Sequence, residues 1–364
     1  MRIPFAKYQA AGNDFIIVRA QDLPRAGGVG SGQTRRLADL ARAILARHTG
    51  IGGDGLFVAS RPADSRHHLA VRIFNADGSE AEMSGNGIRC AATWFLDTDK
   101  PQGRSRGGKL GNLAIETAAG LKEIEFVGEH RGSQVFRVNM GRPILEPVDI
   151  PFAAEGKKGP VTRYKLPLAQ GPLKVTVTSM GNPHCSVFVH DFADLDWRAV
   201  GREIERHPLF PNRTNVEFVR VLSRRRIEVR FWERGVGETA SSGTGSSAAA
   251  VAAALNGLTQ HKVGVKTAGG GLEVDWTRSG EVFLTGPVRL VGRGYFEYIG
   301  HPAAAAIQAA DLRGATAMTI TRATQGARAR RFAAVRAPRR PCLGSEADQA
   351  VARSIPGLPR HHRR

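Results

Sequence analysis

The pattern of hydrophobic and polar positions predicts a chain dominated by short β-strands. Runs rich in Val, Ile, Leu and Phe are bounded by Gly, Pro, Asn or Asp, and several alternate apolar with polar side chains. The runs lie at 15–18, 69–74, 113–117, 121–126, 135–139, 173–179, 185–189, 216–221, 227–232, 271–276 and 282–285. Helical stretches are fewer, at about 33–47, 86–97, 194–206 and 245–256, and the last one stops at Asn256-Gly257, a helix C-terminal signal.

One sequence unit occurs twice along the chain. Residues 80–87 and residues 238–245 both read Glu-x-x-x-Ser-Gly-x-Gly, and small or apolar residues follow each copy. Repetition of a whole turn-plus-helix unit predicts two similar halves, 1–135 and 136–300, each presenting a helix N-terminus. The remaining residues, 301–364, form a third segment.

That third segment carries much of the charge. The formal net charge is +19 over 364 residues, and residues 301–364 contain twelve arginines, no lysine and three acidic residues. With few large apolar side chains, this stretch cannot bury enough surface to offset the entropy lost on ordering. We therefore expect a basic, disordered tail. A nucleic-acid partner is not expected, and only this tail would serve one.

Cysteine usage and the N-terminal residues bear on the compartment. Cys90, Cys185 and Cys342 are widely spaced and predict neither a disulfide framework nor a zinc site. The N-terminus lacks the apolar segment of a secretion signal, and no long run of uncharged apolar residues occurs. The sequence therefore predicts a cytoplasmic protein with no membrane association and no metal.

The repeated turns admit more than one chemistry. For Ser84 or Ser242 taken alone, a helix N-cap beside a tight glycine turn is the simplest interpretation. Neither turn continues as a phosphate-binding Gly-Lys-Ser/Thr loop, and neither serine lies in the Gly-x-Ser-x-Gly elbow of hydrolases. Several asparagine-containing turns accompany them. Two helix N-termini with such neighbours would suit the carboxylate of an amino acid.

Five segments resemble, in the same order, the sequence signatures of the diaminopimelate epimerase family. They are 11–15, 50–56, 75–90, 181–185 and 233–239, and the resemblance extends collinearly from residue 1 to about 298. It implies an α/β (α+β) fold of two pseudo-symmetric domains. Each domain would be a curled, mostly antiparallel sheet around a central helix, with the active site in the cleft between them.

The resemblance also implies a reaction, the interconversion of LL- and meso-2,6-diaminopimelate on the route to lysine and peptidoglycan. Such an isomerase works without pyridoxal phosphate or any other cofactor. One base removes the proton from the substrate Cα while a second group delivers a proton to the opposite face. A small-molecule substrate and a homodimer are implied as well.

Carried over position by position, the resemblance assigns the two proton donor/acceptor positions to Ser84 and Ser242. It assigns the tuning of their pKa values to His184 and Glu233. An arginine would pair with the distal carboxylate, a task that suits a guanidinium. The substrate-binding set is Asn13, Asn75, Gly85, Asn86, Asn182, Asn215, Glu233, Arg234, Gly243 and Thr244.

The family uses cysteines where this chain has Ser84 and Ser242. A serine hydroxyl ionises roughly five pKa units above a thiol, which corresponds to on the order of 7 kcal/mol and roughly five orders of magnitude in rate. Cys185, beside His184, is a candidate stand-in base. Three hypotheses follow: an epimerase whose serines relay protons, a related enzyme acting at one face (an amino-acid dehydratase, a lyase or another racemase), and a catalytically impaired amino-acid binder.

Overall fold

Seventeen β-strands and four α-helices are present in the computed structural model, which describes residues 1–23, 31–98, 112–154, 156 and 158–299. The strands are β1 (Arg2–Ala10), β2 (Asn13–Arg19), β3 (Gly55–Ser60), β4 (Leu69–Asn75), β5 (Glu80–Ala81), β6 (Leu113–Thr117), β7 (Gly120–His130), β8 (Ser133–Gly141), β9 (Val161–Leu166), β10 (Leu173–Ser179), β11 (Pro183–Val189), β12 (Asn215–Ser223), β13 (Arg226–Glu233), β14 (Gly237–Thr239), β15 (Lys262–Thr267), β16 (Gly270–Trp276) and β17 (Val282–Glu297). The helices are α1 (Ser31–Leu45), α2 (Gly85–Thr98), α3 (Trp197–Glu205) and α4 (Gly243–Leu255). The predicted basic tail, 301–364, lies outside the described residues.

All four predicted helices are confirmed, with small shifts at their ends. Helix α3 begins later than predicted because the carboxylate of Asp196 accepts hydrogen bonds from the backbone N–H groups of Arg198 and Ala199 and so caps the helix. Helix α4 ends at Leu255, and Gly257 follows with a positive φ of 70°, as the Asn-Gly signal predicts.

Eight strands pair side by side in a sheet that closes on itself, which we call the first ring. It runs β1–β2–β3–β4–β6–β7–β8–β17 and returns to β1. Only the β2–β3 and β4–β6 pairs are parallel among these, and β5 pairs with β4 outside the circuit. Helix α2 lies inside the ring, where Ile88, Trp94 and Leu96 pack in its core.

The second ring repeats this arrangement. Strands pair in the order β10–β11–β12–β13–β15–β16–β17–β8, and a bridge between Ile144 and Ser179 returns the circuit to β10. Its parallel pairs, β11–β12 and β13–β15, occupy the places of those in the first ring. Ten of the thirteen residues of α4 are buried, as expected for a helix of small apolar residues enclosed by strands.

Each ring has an inner and an outer apolar layer. Phe15 and Ile17 of β2 face α2, whereas Ile16 and Val18 of the same strand pack with α1 outside the ring. The second ring is covered in the same way by α3. Because helices cover both faces, the central strands read as continuous apolar runs instead of alternating ones.

Strands β8 and β17 join the two rings. They pair with each other, and the far end of β17 pairs with β1. The described residues belong to one compact unit, Met1–His301. The predicted fold of two pseudo-symmetric curled sheets, each around a central helix, is confirmed, while the limits 1–135 and 136–300 stay a prediction. Among the described helices, none has both the length and the apolar character needed to span a membrane.

Candidate active site

The two repeated turns bring the N-termini of α2 and α4 face to face. A Cβ built on Gly243 would lie 3.5 Å from Gly85 Cα and 3.6 Å from the backbone N of Asn86. Met140 of β8 and Leu284 of β17 pack beside the two glycines. The helix starts that the sequence repeat singled out are therefore in van der Waals contact, and their free N–H groups make this a place where an anion would bind.

Both serines are helix N-caps. Ser84 Oγ accepts a hydrogen bond from the backbone N–H of Gly87 at 3.1 Å, and Ser242 Oγ accepts one from Gly245 at 3.2 Å. Ser242 is buried and Ser84 is partly buried. Capping uses one lone pair of each hydroxyl and leaves its hydrogen free to donate, so the capping interpretation is compatible with proton transfer.

Glu233, at the end of β13, is the carboxylate next to Ser242. Ser242 Oγ donates to Glu233 Oε2 at 3.3 Å, and Thr239 Oγ1 donates to Oε1 at 2.5 Å. Burial raises the pKa of the Glu233 carboxyl, while these two hydrogen bonds and the nearby His184 act in the opposite direction. A carboxylate with a raised pKa and a bonded hydroxyl can accept the proton that the hydroxyl releases.

His184 and Glu217 form a buried pair next to the N-terminus of α4. The His184 ring is 0% exposed, its Nδ1 lies 2.6 Å from Glu217 Oε1, and its Nε2 lies 3.0 Å from Asn182 Oδ1. Burial raises the pKa of the Glu217 carboxyl, and the charge and hydrogen bond of His184 oppose that shift. A Cβ on Gly245 would lie 3.0 Å from Glu217 Oε1, so the pair lies against the first turn of α4. In the described structure, His184 bonds to neither serine.

The equivalent places in the first ring are apolar. Phe15 pairs in register with Gly55 as His184 pairs with Asn215, so Phe57 occupies the place of Glu217. The rings of Phe15 and Phe57 meet edge to face at 5.5 Å. The Ser84 hydroxyl makes no hydrogen bond as a donor within the described part of the chain. The two helix starts are thus chemically unequal.

Three predicted binding residues of the second ring lie around Glu233. Asn215 Oδ1 accepts the backbone N–H of Arg234 at 3.0 Å, and its Nδ2 donates to the carbonyl of Pro183 at 2.9 Å. Arg234 is exposed, and its guanidinium donates to the carbonyl of Asn212. Thr244 is partly exposed on the first turn of α4.

The predicted residues of the first ring fall into two groups. Asn86 Nδ2 donates to Asn13 Oδ1 at 2.6 Å and to Ser241 Oγ at 3.4 Å, which joins the two helix starts. Asn75 is exposed at the end of β4, and its amide donates to Ser79 Oγ. The structure therefore brings Asn13 and Asn86 together, while the Asn75 side chain bonds to Ser79 within its own turn.

Neither buried cysteine has the environment of a base. Cys185 and Cys90 are both 0% exposed. Burial raises the pKa of the Cys185 thiol well above its ordinary value and that of Cys90 to about 12. Because the thiolate is the reactive form, the structure argues against Cys185 as a stand-in base.

A surface cavity of about 600 Å³ lies elsewhere, between α3 and the segment that follows β9. Its lining includes Pro167, Arg202, Arg206 and His207. None of the predicted site residues lines it, so we place the candidate site at the helix starts, where the polar groups converge.

Comparison with known proteins identifies the family. The diaminopimelate epimerase family model matches residues 5–146 and 176–291, which together make up most of the chain. The chain belongs to the diaminopimelate epimerase family. The diaminopimelate epimerase of Moorella thermoacetica is 42% identical over 293 residues, covering 80% of this chain and 98% of that one. The enzyme of Halothermothrix orenii is 39% identical over 294 residues, covering 81% and 98%.

Solved structures share the fold at much lower identity. A hydroxyproline epimerase from Agrobacterium vitis superposes with a TM-score of 0.56 at 15% identity, covering 81% of this chain and 90% of that one. The two segments matched by the diaminopimelate epimerase family model contain every predicted site residue. The unmatched residues between them include β9.

Sequence reasoning missed three polar residues of the site: Arg89, Glu217 and Ser241. Each is essentially inaccessible to solvent. A signal was present for Glu217, a lone acid in the apolar run 216–221, and for Arg89, a lone cation in a helix whose neighbours are small and apolar. Charged residues are almost never fully buried unless they are paired, so such interruptions mark polar contacts in the core.

Proposed function

We propose that this chain is a diaminopimelate epimerase, an isomerase that inverts the configuration at one Cα of 2,6-diaminopimelate without a cofactor. Family membership supports the substrate and the reaction. The observation that carries the proposal is the contact between two Ser-Gly helix starts. It gives a single carboxylate two sets of backbone N–H donors, with a hydroxyl at each end.

The proton transfers follow from this arrangement. The reacting carboxylate would bind to the backbone N–H groups at Gly85-Asn86 and Gly243-Thr244. Ser242 Oγ would take the Cα proton as its own hydrogen passes to Glu233, through the hydrogen bond already present. The Ser84 hydroxyl would deliver a proton to the opposite face and recover one from solvent, since Ser84 is partly exposed. The reverse reaction runs through the same groups.

The remaining assignments rest on the sequence resemblance and on where the residues lie relative to the two helix starts. Arg234 would bind the distal carboxylate, Asn13, Asn75, Asn182 and Asn215 would also contact the substrate, and His184 would tune the local pKa values. We also propose the half limits 1–135 and 136–300, a homodimer, a cytoplasmic location and a place in lysine biosynthesis.

A second candidate function is an enzyme that abstracts a proton at one face only, such as an amino-acid dehydratase or lyase. The inequality of the helix starts favours it, because Ser242 has a bonded carboxylate acceptor while Ser84 lies beside an aromatic pair. In this case Glu233 and Ser242 would act as a single base.

The decisive experiment incubates the purified protein with LL-diaminopimelate in deuterium oxide. The epimerase produces the meso isomer with one solvent deuterium at the inverted Cα. Deuterium incorporation with retained configuration, or loss of the amino group, supports the one-face enzyme. Saturable binding without exchange leaves an amino-acid binder and overturns both catalytic proposals.

Restoring the thiols tests whether the hydroxyls limit the rate. Ser84→Cys combined with Ser242→Cys should raise kcat by several orders of magnitude, since roughly five pKa units separate the two kinds of base at about 1.36 kcal/mol each. Each single variant should gain less, because the remaining serine still limits one direction. No gain in the double variant would contradict the assignment of these positions.

A further inference from the structure

Arg89 is a fully buried cation with unused donors. It lies in α2 with 0% exposure, and its Nη2 donates to Asn86 Oδ1 at 2.8 Å. Its Nε and Nη1 have no hydrogen-bond partner in the described structure. Burial lowers the pKa of the guanidinium to about 10, so it remains charged at neutral pH. A buried charge without a counter-charge is costly, which points to a role for Arg89 beyond packing.

A hydrogen-bond chain leads from Arg89 towards the surface. Asn86 Nδ2 donates to Asn13 Oδ1 at 2.6 Å, and Asn13 Nδ2 donates to Asp54 Oδ2 at 3.1 Å. Asp54 is 36% exposed in its side chain and is held by Arg47 at 2.6 Å. This series of hydrogen bonds thus begins at a buried positive charge and ends at a partly exposed carboxylate.

The charges at the two ends determine the direction of every bond between them. A guanidinium can only donate and an ionised carboxylate can only accept. Asn86 must therefore turn its oxygen to Arg89, and Asn13 must turn its nitrogen to Asp54. The middle bond, from Asn86 to Asn13, satisfies both conditions. The same Asp54 oxygen also accepts the backbone N–H of Asp14 at 3.1 Å.

This direction decides what the site offers to a ligand. Each amide oxygen already accepts one hydrogen bond, that of Asn86 from Arg89 and that of Asn13 from Asn86. Each amide nitrogen keeps a second hydrogen; that of Asn86 points towards Ser241 through a long 3.4 Å contact, and that of Asn13 is unused in the described structure. Asn13 and Asn86 therefore present N–H donors, which suit a carboxylate.

We infer that Arg89 and Asp54 are positioning residues whose opposite charges orient the Asn86 and Asn13 amides as donors to a substrate carboxylate. The inference rests on the proposed function for the identity of that carboxylate. Neither residue needs to contact the substrate, because both act through the amides. The buried charge of Arg89 adds attraction for the same anion at low local dielectric.

The test compares Arg89→Met, Arg89→Lys and Asp54→Asn with Arg47→Met as the matched control. Arg47→Met removes the ion pairs of Arg47 with Asp54 and Asp14 but keeps the Asp54 carboxylate that accepts from Asn13. We expect Arg89→Met and Asp54→Asn each to raise KM about tenfold, as for a lost interaction of about 1.4 kcal/mol, with kcat within a few-fold. Arg89→Lys should recover part of the effect, and Arg47→Met should have KM close to that of the original protein.

The double variant Arg89→Met/Asp54→Asn adds a second criterion. Because the same series of hydrogen bonds transmits both effects, the KM of the double variant should be no higher than that of the single variant with the larger increase. Fully additive increases, or an unchanged KM in Asp54→Asn, would overturn the inference. Asp54 is partly exposed, so Asp54→Asn gives an answer even if Arg89→Met does not fold.

A readout independent of catalysis separates this inference from the proposed function. In protein with ¹⁵N-labelled asparagine, hydrogen exchange of the Asn13 and Asn86 side-chain amides should be slow and should accelerate in Asp54→Asn but not in Arg47→Met. If the protein does not epimerise diaminopimelate, the proposed function fails while this pattern still stands. If the pattern is absent in a catalytically active protein, the positioning role fails alone.

Discussion

The two rings have the same order of parallel and antiparallel strand pairs, yet their helix starts differ in chemistry. In the second ring, Ser242 bonds to Glu233, and a buried His184–Glu217 pair lies below. In the first ring, the places of His184 and Glu217 are taken by Phe15 and Phe57. The two rings share the backbone arrangement and the serine caps, whereas the buried side chains next to the caps differ. The comparison teaches that a symmetric fold can place the two proposed acid/base positions in chemically unequal surroundings.

The largest expected effect is on stability, from removing one member of each buried pair. Glu217→Ala leaves His184 without its carboxylate in the core, and we expect a loss of about 3–5 kcal/mol. Phe57→Ala in the first ring should cost a similar amount, about 3–5 kcal/mol, through the cavity that it leaves. Urea unfolding measures both. The loss of unfolding free energy should depend on pH for Glu217→Ala, because the His184–Glu217 pair is ionisable, and should not for Phe57→Ala. Any other result would contradict the chemical difference between the two pairs.

The next effect is on catalysis. Glu233→Gln keeps an acceptor for the Ser242 hydroxyl but removes the ionisable carboxylate, so we expect proton abstraction on that side to slow roughly 10²-fold or more. The matched control is Glu238→Gln, an exposed carboxylate five residues later that pairs with Arg198. Solvent deuterium incorporation into each isomer measures abstraction in the two directions separately. If Glu238→Gln slowed proton abstraction as much as Glu233→Gln does, Glu233 would act only through its negative charge and not as a specific proton acceptor.

The smallest effect is a difference in the pH dependence of stability. Burial raises the pKa of Glu233, so the unfolded chain ionises first as the pH rises above its ordinary value of 4.5. Stability relative to Glu233→Gln should therefore be full below about 4.5 and should fall as the pH rises through the folded pKa.

Glu80 of the first ring gives the opposite sign. Its hydrogen bonds from Arg72 lower the pKa of its carboxyl, so its contribution should be present above 4.5 and lost as the pH falls. Unfolding midpoints of the original protein, Glu233→Gln and Glu80→Gln between pH 3 and pH 8 measure both differences. Parallel curves for the two variants would contradict the assigned environments.

Much of the candidate site could be located from the sequence because it lies in local motifs. Ser84 and Ser242 are caps whose neighbours, Gly85 and Gly243, start the observed helices, within two residues of the predicted starts. Asn13 and Asn86 lie in such motifs, and the resemblance to the family assigned them to substrate binding. Arg89 and Glu217 were not, since a single charged residue in an apolar segment does not reveal its partner. Their partners lie three residues away on a helix face for Arg89 and in another strand for Glu217.

By itself, the sequence determined the strand-rich character, the four helices, the duplication and the two capped helix starts. These depend on interactions within a few residues, such as caps, turns and hydrophobic periodicity. Only the tertiary structure decided that the two starts touch, that β8 and β17 join the rings, and that Ser242 but not Ser84 has a bonded carboxylate. The contacts between the two helix starts and between β8 and β17 join residues far apart in the chain, and tertiary packing governs which polar groups meet in the low-dielectric interior.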